Sequence, residues 1–194
     1  MSRFDFKEVD SNFWNDFEKL FGENGACGGC WCQWFRVPQG GKLWEETKGA
    51  KAKQMMKDLF RSNQISGLLA YDGSRPVGWC SYGPRSHFPH IDRMKAYRRD
   101  ENLDFDRLWC INCFFVDRGY RKQGLSQLML QAALGFMKKR GIERVEAYPT
   151  TLTKDGQRLP PAFSYTGPMK IFEREGFELV QRISHSRPLM QKKL

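Results

Sequence analysis

Apolar residues recur at helical spacing in the first third of the chain. One stripe follows Asp10 or Ser11, either of which can cap a helix, and predicts a first helix to about residue 21. A second stripe predicts a helix over residues 44–61. The two apolar faces consist of Phe13, Trp14, Phe17 and Leu20 or Phe21, and of Met55, Met56, Leu59 and Phe60.

From residue 67 onward the apolar pattern is typical of strands. The runs at 67–71 and 76–82 flank the sequence Asp72-Gly-Ser-Arg75, and they predict a hairpin because Asp-Gly supplies the positive φ angles of a tight turn. Prolines, histidines and many charges over residues 83–106 predict a long loop with one short helix. Long ordered loops beside a ligand site often bind substrate.

The remainder of the chain alternates between strand and helix patterns. An apolar run at 108–116, a helical stripe to residue 140 and a strand at 144–148 form a β-α-β unit, so the two strands should be parallel. Pro168 can begin a last helix that ends at Gly176, before a strand over 177–185. The predicted class is therefore mixed α/β.

Length and composition indicate one globular domain over residues 1–194. Residues 1–66 would carry the first helices and a loop, and residues 67–194 the sheet. A hydrophobic content of 40% with 28% charged residues is globular in character. No stretch approaches the ~20 apolar residues of a membrane span, and the first residues lack the apolar core of a signal peptide. We expect a soluble, cytoplasmic protein without a membrane partner.

A formal charge of +10 indicates an anionic partner. Lysines and arginines are scattered along the chain, and no nucleic-acid motif is present, so nucleic acid is not expected as a partner. A phosphate-rich small cofactor would need only the group Arg118, Arg121 and Lys122.

Three of the six cysteines form the sequence Cys27-Gly-Gly-Cys-Trp-Cys32. A structural zinc site normally has four ligands, and no nearby fourth Cys or His has suitable spacing, so no metal is expected. Thioredoxin-like Cys-x-x-Cys pairs open a helix after a strand, whereas the glycines here indicate a loop. We favour reduced thiols in a loop packed by tryptophans, with Cys80, Cys110 and Cys113 as small core residues.

Residues 121–126, Arg-Lys-Gln-Gly-Leu-Ser, join the predicted strand 108–116 to the helix behind it. A turn that leads into a helix presents several unpaired N–H groups, and the helix dipole adds partial positive charge. A phosphate is the natural ligand of such a turn. Similar glycine-containing sequences at 75–80 and 64–69 lie beside or within predicted strands and have no following helix.

These residues resemble the GNAT superfamily of acyl-coenzyme A-dependent N-acyltransferases. The loop 121–126 is similar to the family's Gln/Arg-x-x-Gly-x-Gly/Ala motif, with Ser126 in place of the usual Gly or Ala. The sequence Phe172-Glu-Arg-Glu-Gly176-Phe177 is similar to its closing helix and strand entry. The resemblance implies a central mixed sheet of about six to seven strands, flanked by helices on both faces.

The same resemblance implies acetyl-coenzyme A as co-substrate and an amine as acceptor. The pantetheine arm would lie along Phe114, Phe115 and Val116. The pyrophosphate would lie on the loop, which consists of Arg121, Lys122, Gln123, Gly124, Leu125 and Ser126. Gly124 would let the backbone approach a phosphate, and the neighbouring amides would cradle it.

Direct attack of a primary amine on the thioester is the implied reaction. It needs a proton acceptor, an N–H donor to the oxyanion and an acid for the leaving thiolate. The amide of Phe115 or Val116 is the expected donor. Many members of the family supply the acid from a tyrosine four residues before the Gly-Phe pair, a position that Phe172 holds here as a packing surface for pantetheine.

Tyr165 is therefore the candidate acid, and Glu146 on the strand 144–148 is the candidate base. The sequence leaves other bases open, namely Asp104, Asp106, His87, His90 or a chain of water molecules. Cys113 as a covalent nucleophile lacks an identifiable base.

The acceptor side would consist of residues 22–42 and 83–106. Their aromatic and acidic side chains suggest a pocket for a cationic amine. Two other functions stay open: a catalytically weak acyl-coenzyme A-binding regulatory domain, and a basic nucleic-acid or partner-binding module with zinc at its cysteines. Homodimer formation is also left open.

Overall fold

The computed structural model describes residues 3–38, 42–98, 103–153, 155–157, 159–184 and 187–194. Seven strands form one mixed sheet with the order β1-β2-β3-β4-β5-β7-β6. The strands are β1 (Asp5–Glu8), β2 (Gly67–Asp72), β3 (Arg75–Pro84), β4 (Trp109–Val116), β5 (Arg144–Ala147), β6 (Glu178–Ser184) and β7 (Arg187–Lys193). Neighbouring strands are antiparallel except β4 and β5, which are parallel. The predicted α/β class and its mixed sheet are confirmed.

Helices cover both faces of this sheet. They are α1 (Trp14–Phe21), α2 (Lys42–Thr47), α3 (Ala50–Arg61), α4 (His90–Arg93), α5 (Leu125–Lys139) and α6 (Met169–Arg174). Because strand side chains alternate between faces, Leu68 and Ala70 of β2 join the core under α5 and α6, whereas Leu69 and Tyr71 pack with α1 and α3. No helix in the described part of the chain is long and apolar enough to span a membrane.

The hairpin, the β-α-β unit and the last helix lie close to their predicted positions. The helix predicted over 44–61 is instead two helices, because Gly49 has a φ of 85° and separates α2 from α3. The strand predicted over 177–185 ends at Ser184 as β6, and residue 185 lies outside the described residues. The acceptor-side segments are likewise described except for residues 39–41 and 99–102.

Strands β1 and β7 were not predicted from the sequence. The sequence of β1 is short and charged, and that of β7 contains Pro188 and lysines. Both sequences resemble the ends of a chain rather than strands. Pairing with β5 nevertheless buries Met190 and Leu189 of β7 in separate apolar clusters. These two strands form because neighbouring strands provide the hydrogen bonds and the apolar contacts.

A β-bulge opens the centre of the sheet. Ser81 of β3 pairs with Cys113 and the next residue, Tyr82, pairs with Ile111, so that Asn112 is an extra residue in β4. Pairing between β4 and β5 covers only the part of β4 from Trp109 to Ile111. A bulge bends its strand and interrupts the ladder. Beyond Asn112, β4 therefore continues without β5 beside it.

Candidate active site

A cavity of about 940 Å³ lies along the unpaired part of β4. Its wall includes the end of β4, the turn into α5, the segment that leads into α6 and the cysteine loop before α2. This volume is near the upper end of the roughly 300–1,000 Å³ of small-molecule sites. Nine residues predicted at the site line this cavity: Phe114, Phe115, Val116, Arg121, Lys122, Gly124, Leu125, Ser126 and Tyr165.

Backbone groups at the β4 edge point into the cavity in an alternating pattern. The Phe114 N–H donates to the Tyr165 carbonyl at 2.6 Å, and the Asp117 N–H donates to the Val77 carbonyl of β3 at 2.9 Å. Because successive amides of a strand point in opposite directions, the Phe115 amide faces β3 and the Val116 amide faces the opening. Of the two expected oxyanion donors, Val116 has the suitable direction.

The turn into α5 has the features of an anion site. Lys122 and Gly124 have φ angles of 62° and 79°, and a Cβ added at Gly124 would meet nothing within 4 Å. The first amides of α5 have no acceptor within the helix and point into this open space. Arg121 and Lys122 line the same end of the cavity. These residues fit the pyrophosphate of a coenzyme A molecule.

Gln123 and Phe172 are not among the described residues that line the cavity, so their position adds no support to their predicted contact with the cofactor. The Gln123 amide donates to the Gly119 carbonyl at 2.9 Å and accepts from Arg3, so it stabilises the turn from outside. Phe172 is fully buried, with its ring centroid 6.1 Å from that of Phe114 and 5.2 Å from that of Phe177. It supports β4 from behind the cavity wall.

Glu146 also lies away from the cavity, and its predicted role as base has no support in its position. The side chain is fully buried and forms an ion pair with Arg85, which is also fully buried. The Tyr148 hydroxyl donates to the same carboxylate oxygen at 3.0 Å. Arg85 donates further to Asp92 at 2.7 Å and to the Tyr97 carbonyl at 2.7 Å. This network joins β5 to the loop after β3.

Tyr165 lies in the cavity wall, where its ring is 5.9 Å from that of Phe35 and its carbonyl accepts from Phe114. Burial raises the pKa of its hydroxyl above the ordinary value for tyrosine, although nearby Arg187 opposes the shift. The phenol is therefore protonated at neutral pH, as a proton donor must be.

None of the other predicted bases lines the cavity. His90 packs against Trp34, with ring centroids 4.7 Å apart, while His87, Asp104 and Asp106 lie at the surface. Among the described residues that line the cavity there is no aspartate, glutamate or histidine. The acidic part of the predicted acceptor pocket is therefore absent from this wall.

The cavity wall contains cations and thiols that the sequence did not indicate as site residues. Lys48, Arg174 and Arg187 add positive charge, and only Arg174 belongs to a sequence singled out above, Phe172–Phe177. Cys27, Cys30, Cys32 and Cys113 also line the cavity, and all four are free thiols. The described residues contain no cluster of three or more His, Cys, Asp or Glu side chains that could hold a metal ion. Cys80 and Cys110 are fully buried core residues.

A mixed sheet that opens beside β4, with the N-terminus of α5 at the opening, is the arrangement that the resemblance to the GNAT superfamily implies. The sequence model of the acetyltransferase (GNAT) family matches residues 31–158. The chain therefore belongs to the GNAT acetyltransferase family. A comparison with curated proteins finds no match.

Several solved acetyltransferases have a similar fold. A PaiA N-acetyltransferase from Thermoplasma acidophilum in complex with coenzyme A is 14% identical, with a TM-score of 0.54 and 100% of both chains covered. The putative acetyltransferase YncA from Salmonella typhimurium with acetyl-coenzyme A is 10% identical, with a TM-score of 0.57 and coverage of 100% of this chain and 95% of the other. A ribosomal-protein-alanine N-acetyltransferase from Brucella melitensis is 16% identical, with a TM-score of 0.54 and coverage of 97% and 99%.

Proposed function

We propose that this protein transfers an acetyl group from acetyl-coenzyme A to a primary amine of a small molecule or peptide by direct attack. The observation that carries the proposal is the β4 edge beyond Asn112, which β5 does not cover and which lies in one cavity with the N-terminal turn of α5. Family membership and the solved neighbours that hold coenzyme A or acetyl-coenzyme A support it.

In this proposal the turn and the strand hold different parts of the co-substrate. The amides that follow Lys122 bind the pyrophosphate, and the pantetheine arm lies along Phe114–Val116 in the place of a neighbouring strand. The Val116 amide donates to the thioester oxygen as negative charge develops on it. One such donor contributes roughly 10²–10³-fold to the rate in other acyl transfers.

The proton steps fall to side chains in the same cavity. Tyr165 donates to the sulfur of coenzyme A as the C–S bond breaks, because its hydroxyl keeps its proton at neutral pH. The acceptor amine lies among aromatic rings, including those of Trp34 and Trp44. No carboxylate in the described part of this wall would hold further positive charges on the acceptor.

A catalytically weak acyl-coenzyme A-binding domain is the second candidate. Phe172 favours it, because that ring stands where many members of the family have a proton-donating tyrosine, and it is fully buried here.

The test is turnover of acetyl-coenzyme A with a panel of amines, read by mass spectrometry of the acceptors. The panel includes monoamines, amino acids, polyamines and peptides with free N-termini. Acetylation of one class above the uncatalysed rate supports the transferase. Tight binding of acetyl-coenzyme A without transfer to any member of the panel would favour the binding domain instead.

A further inference from the structure

The cysteine loop places one thiol of the Cys27-Gly-Gly-Cys-Trp-Cys32 sequence in an unusual position. Cys32 lines the cavity but exposes only 7% of its surface. Trp31 and Cys32 have φ angles of 44° and 56°, a left-handed conformation that non-glycine residues rarely adopt. Such strain clusters at functional sites. The surrounding structure must hold this loop firmly.

Three contacts of Trp31 hold the loop in this shape. Gly25 has a φ of 55°, and a Cβ at this position would collide with the Trp31 indole. That indole stacks on Trp14 of α1 with ring centroids 6.2 Å apart, and the Lys53 ammonium of α3 lies 5.1 Å from its ring. The loop is thereby fixed against α1 and α3, with the Cys32 sulfur directed toward β3 and β4.

Hydrogen-bond donors surround the Cys32 sulfur. The Trp79 indole N–H of β3 donates to it at 3.3 Å. The Cys113 thiol of β4 donates a hydrogen bond that lowers the pKa of Cys32, against the effect of burial, and Trp79, Ser81 and the Arg36 charge lower it further. An indole N–H directed at a buried sulfur stabilises the thiolate more than the thiol.

The neighbouring thiols keep their protons. The hydrogen bond to Cys32 and burial raise the pKa of Cys113 well above its ordinary value. Burial raises the pKa of Cys30 to about 11, and burial also raises that of Cys80. Arg36 is the cation in this group, and burial lowers its pKa from a very high ordinary value. Cys32 is thus the thiol of this cluster that ionises first.

The position of Cys32 beside the expected thioester site favours a catalytic role for its thiolate. Cys113 directly precedes Phe114, where the thioester arm is expected, and Cys113 and Cys32 both line the cavity. The reaction proposed above needs a group that accepts a proton from the ammonium form of the acceptor. Among the described residues of the cavity wall, carboxylates and imidazoles are absent, so the thiolate is the candidate side-chain base at this wall.

We propose that Cys32 is the general base that deprotonates the acceptor amine, a role that rests on the acetyl transfer proposed above. The N–H bond of the ammonium breaks and an S–H bond forms at Cys32. The free amine attacks the thioester carbon, and the C–S bond breaks as Tyr165 gives its proton to the coenzyme A sulfur. The Tyr165 phenolate takes the second proton lost by the nitrogen, and Cys32 returns its own proton to water.

The first test compares Cys32→Ser with Cys27→Ser. Cys27 belongs to the same loop and cavity wall but is exposed, so its substitution controls for a general change in the loop. General bases contribute about 10²–10⁴-fold, and we expect Cys32→Ser to lower kcat/KM at neutral pH by about 10²-fold or more. Cys27→Ser also changes the cavity wall, but it should lower kcat/KM far less than Cys32→Ser does. Equal rates for the two variants would overturn the proposal.

Trp79→Phe supplies a second test that does not require loss of the thiol. This change keeps an aromatic ring but removes the indole N–H that donates to Cys32. Because a donor to the thiolate lowers its pKa, its loss raises the pKa, and the acid limb of the kcat/KM profile should move to higher pH. The rate should recover at alkaline pH. An unmoved acid limb would contradict the assignment.

Ultraviolet titration of the thiolate is independent of turnover. The absorbance of the Cys32→Ser variant is subtracted from that of the wild-type protein at each pH. The difference should show a thiolate that forms below the ordinary cysteine pKa of about 8.5. Appearance only at or above that range would overturn the proposal even in an active enzyme. A wild-type protein with this absorbance but no transfer to any amine would refute the transferase and leave the thiolate assignment standing. A stable acetyl adduct on Cys32 during turnover would show that Cys32 is a covalent nucleophile, and it would overturn its role as general base.

Discussion

Glu146 is fully buried against Arg85, and this pairing determines what its loss would do. Loss of one partner of a buried ion pair leaves an uncompensated charge and typically costs about 3–5 kcal/mol. Asp92 and the Tyr97 carbonyl would still hold one side of the guanidinium. The carboxylate pairs inside the fold and is not among the described residues of the cavity wall.

Because Asp92 would still pair with Arg85, Glu146→Ala should lower the free energy of unfolding by about 3 kcal/mol, the lower end of this range, as measured by urea denaturation. The protein that remains folded should keep the wild-type kcat. Glu143→Ala, an exposed acidic residue nearby, should change stability by less than about 0.5 kcal/mol. If Glu146→Ala kept the wild-type stability but had a much lower kcat, the result would support Glu146 as the base.

The sequence alone could place Glu146 on a strand but could not identify its partner. Apolar runs predict strands because the pattern is local, whereas Arg85 lies 61 residues earlier in the chain. The same limit applies to Cys32. Its donor Trp79 is 47 residues later, so the spacing of cysteines within the loop gave no sign of an activated thiol.

At the scale of elements, the turn into α5 and the unpaired end of β4 act together. Periodicity predicted both the strand and the helix, and the glycine turn between them was predicted as the anion site. The bulge at Asn112 could not be predicted, because register depends on the neighbouring strand rather than on β4 alone. That bulge creates the opening in the sheet.

Gly124→Ala tests the turn, and Gly141→Ala is its matched control. Both glycines flank α5, have φ angles of 79° and 72°, and have open space where a Cβ would stand. Both variants should therefore lose a similar stability of about 1–2 kcal/mol. Only Gly124→Ala should weaken acetyl-coenzyme A binding in calorimetry, because its Cβ would occupy the phosphate position. Equal weakening in both variants would contradict an anion site at this turn.

At the scale of the whole molecule, positive charge surrounds the cavity. The chain carries a formal charge of +10, and Lys48, Arg121, Lys122, Arg174 and Arg187 line the cavity itself. Such a field attracts the phosphates of a co-substrate and repels acceptors with several positive charges. That residues 1–194 form a single domain stays a prediction. Whether the protein forms a homodimer stays open.

Affinity for acetyl-coenzyme A should fall as salt rises, because a Debye length of about 10 Å at 0.1 M screens charges at the cavity mouth. The acetyl thioester of N-acetylcysteamine lacks the phosphates and serves as the control, and its KM should stay nearly constant with salt. If the KM values of both thioesters rose equally with salt, the effect of salt would not come from recognition of the phosphates.

The most direct test of the central claim is the distance from the thioester oxygen to the Val116 nitrogen in a crystal structure with acetyl-coenzyme A. The account predicts a hydrogen bond of about 2.7–3.2 Å, with the pyrophosphate on the amides that follow Lys122. A co-substrate bound with its thioester away from β4, or its pyrophosphate away from the N-terminus of α5, would contradict it.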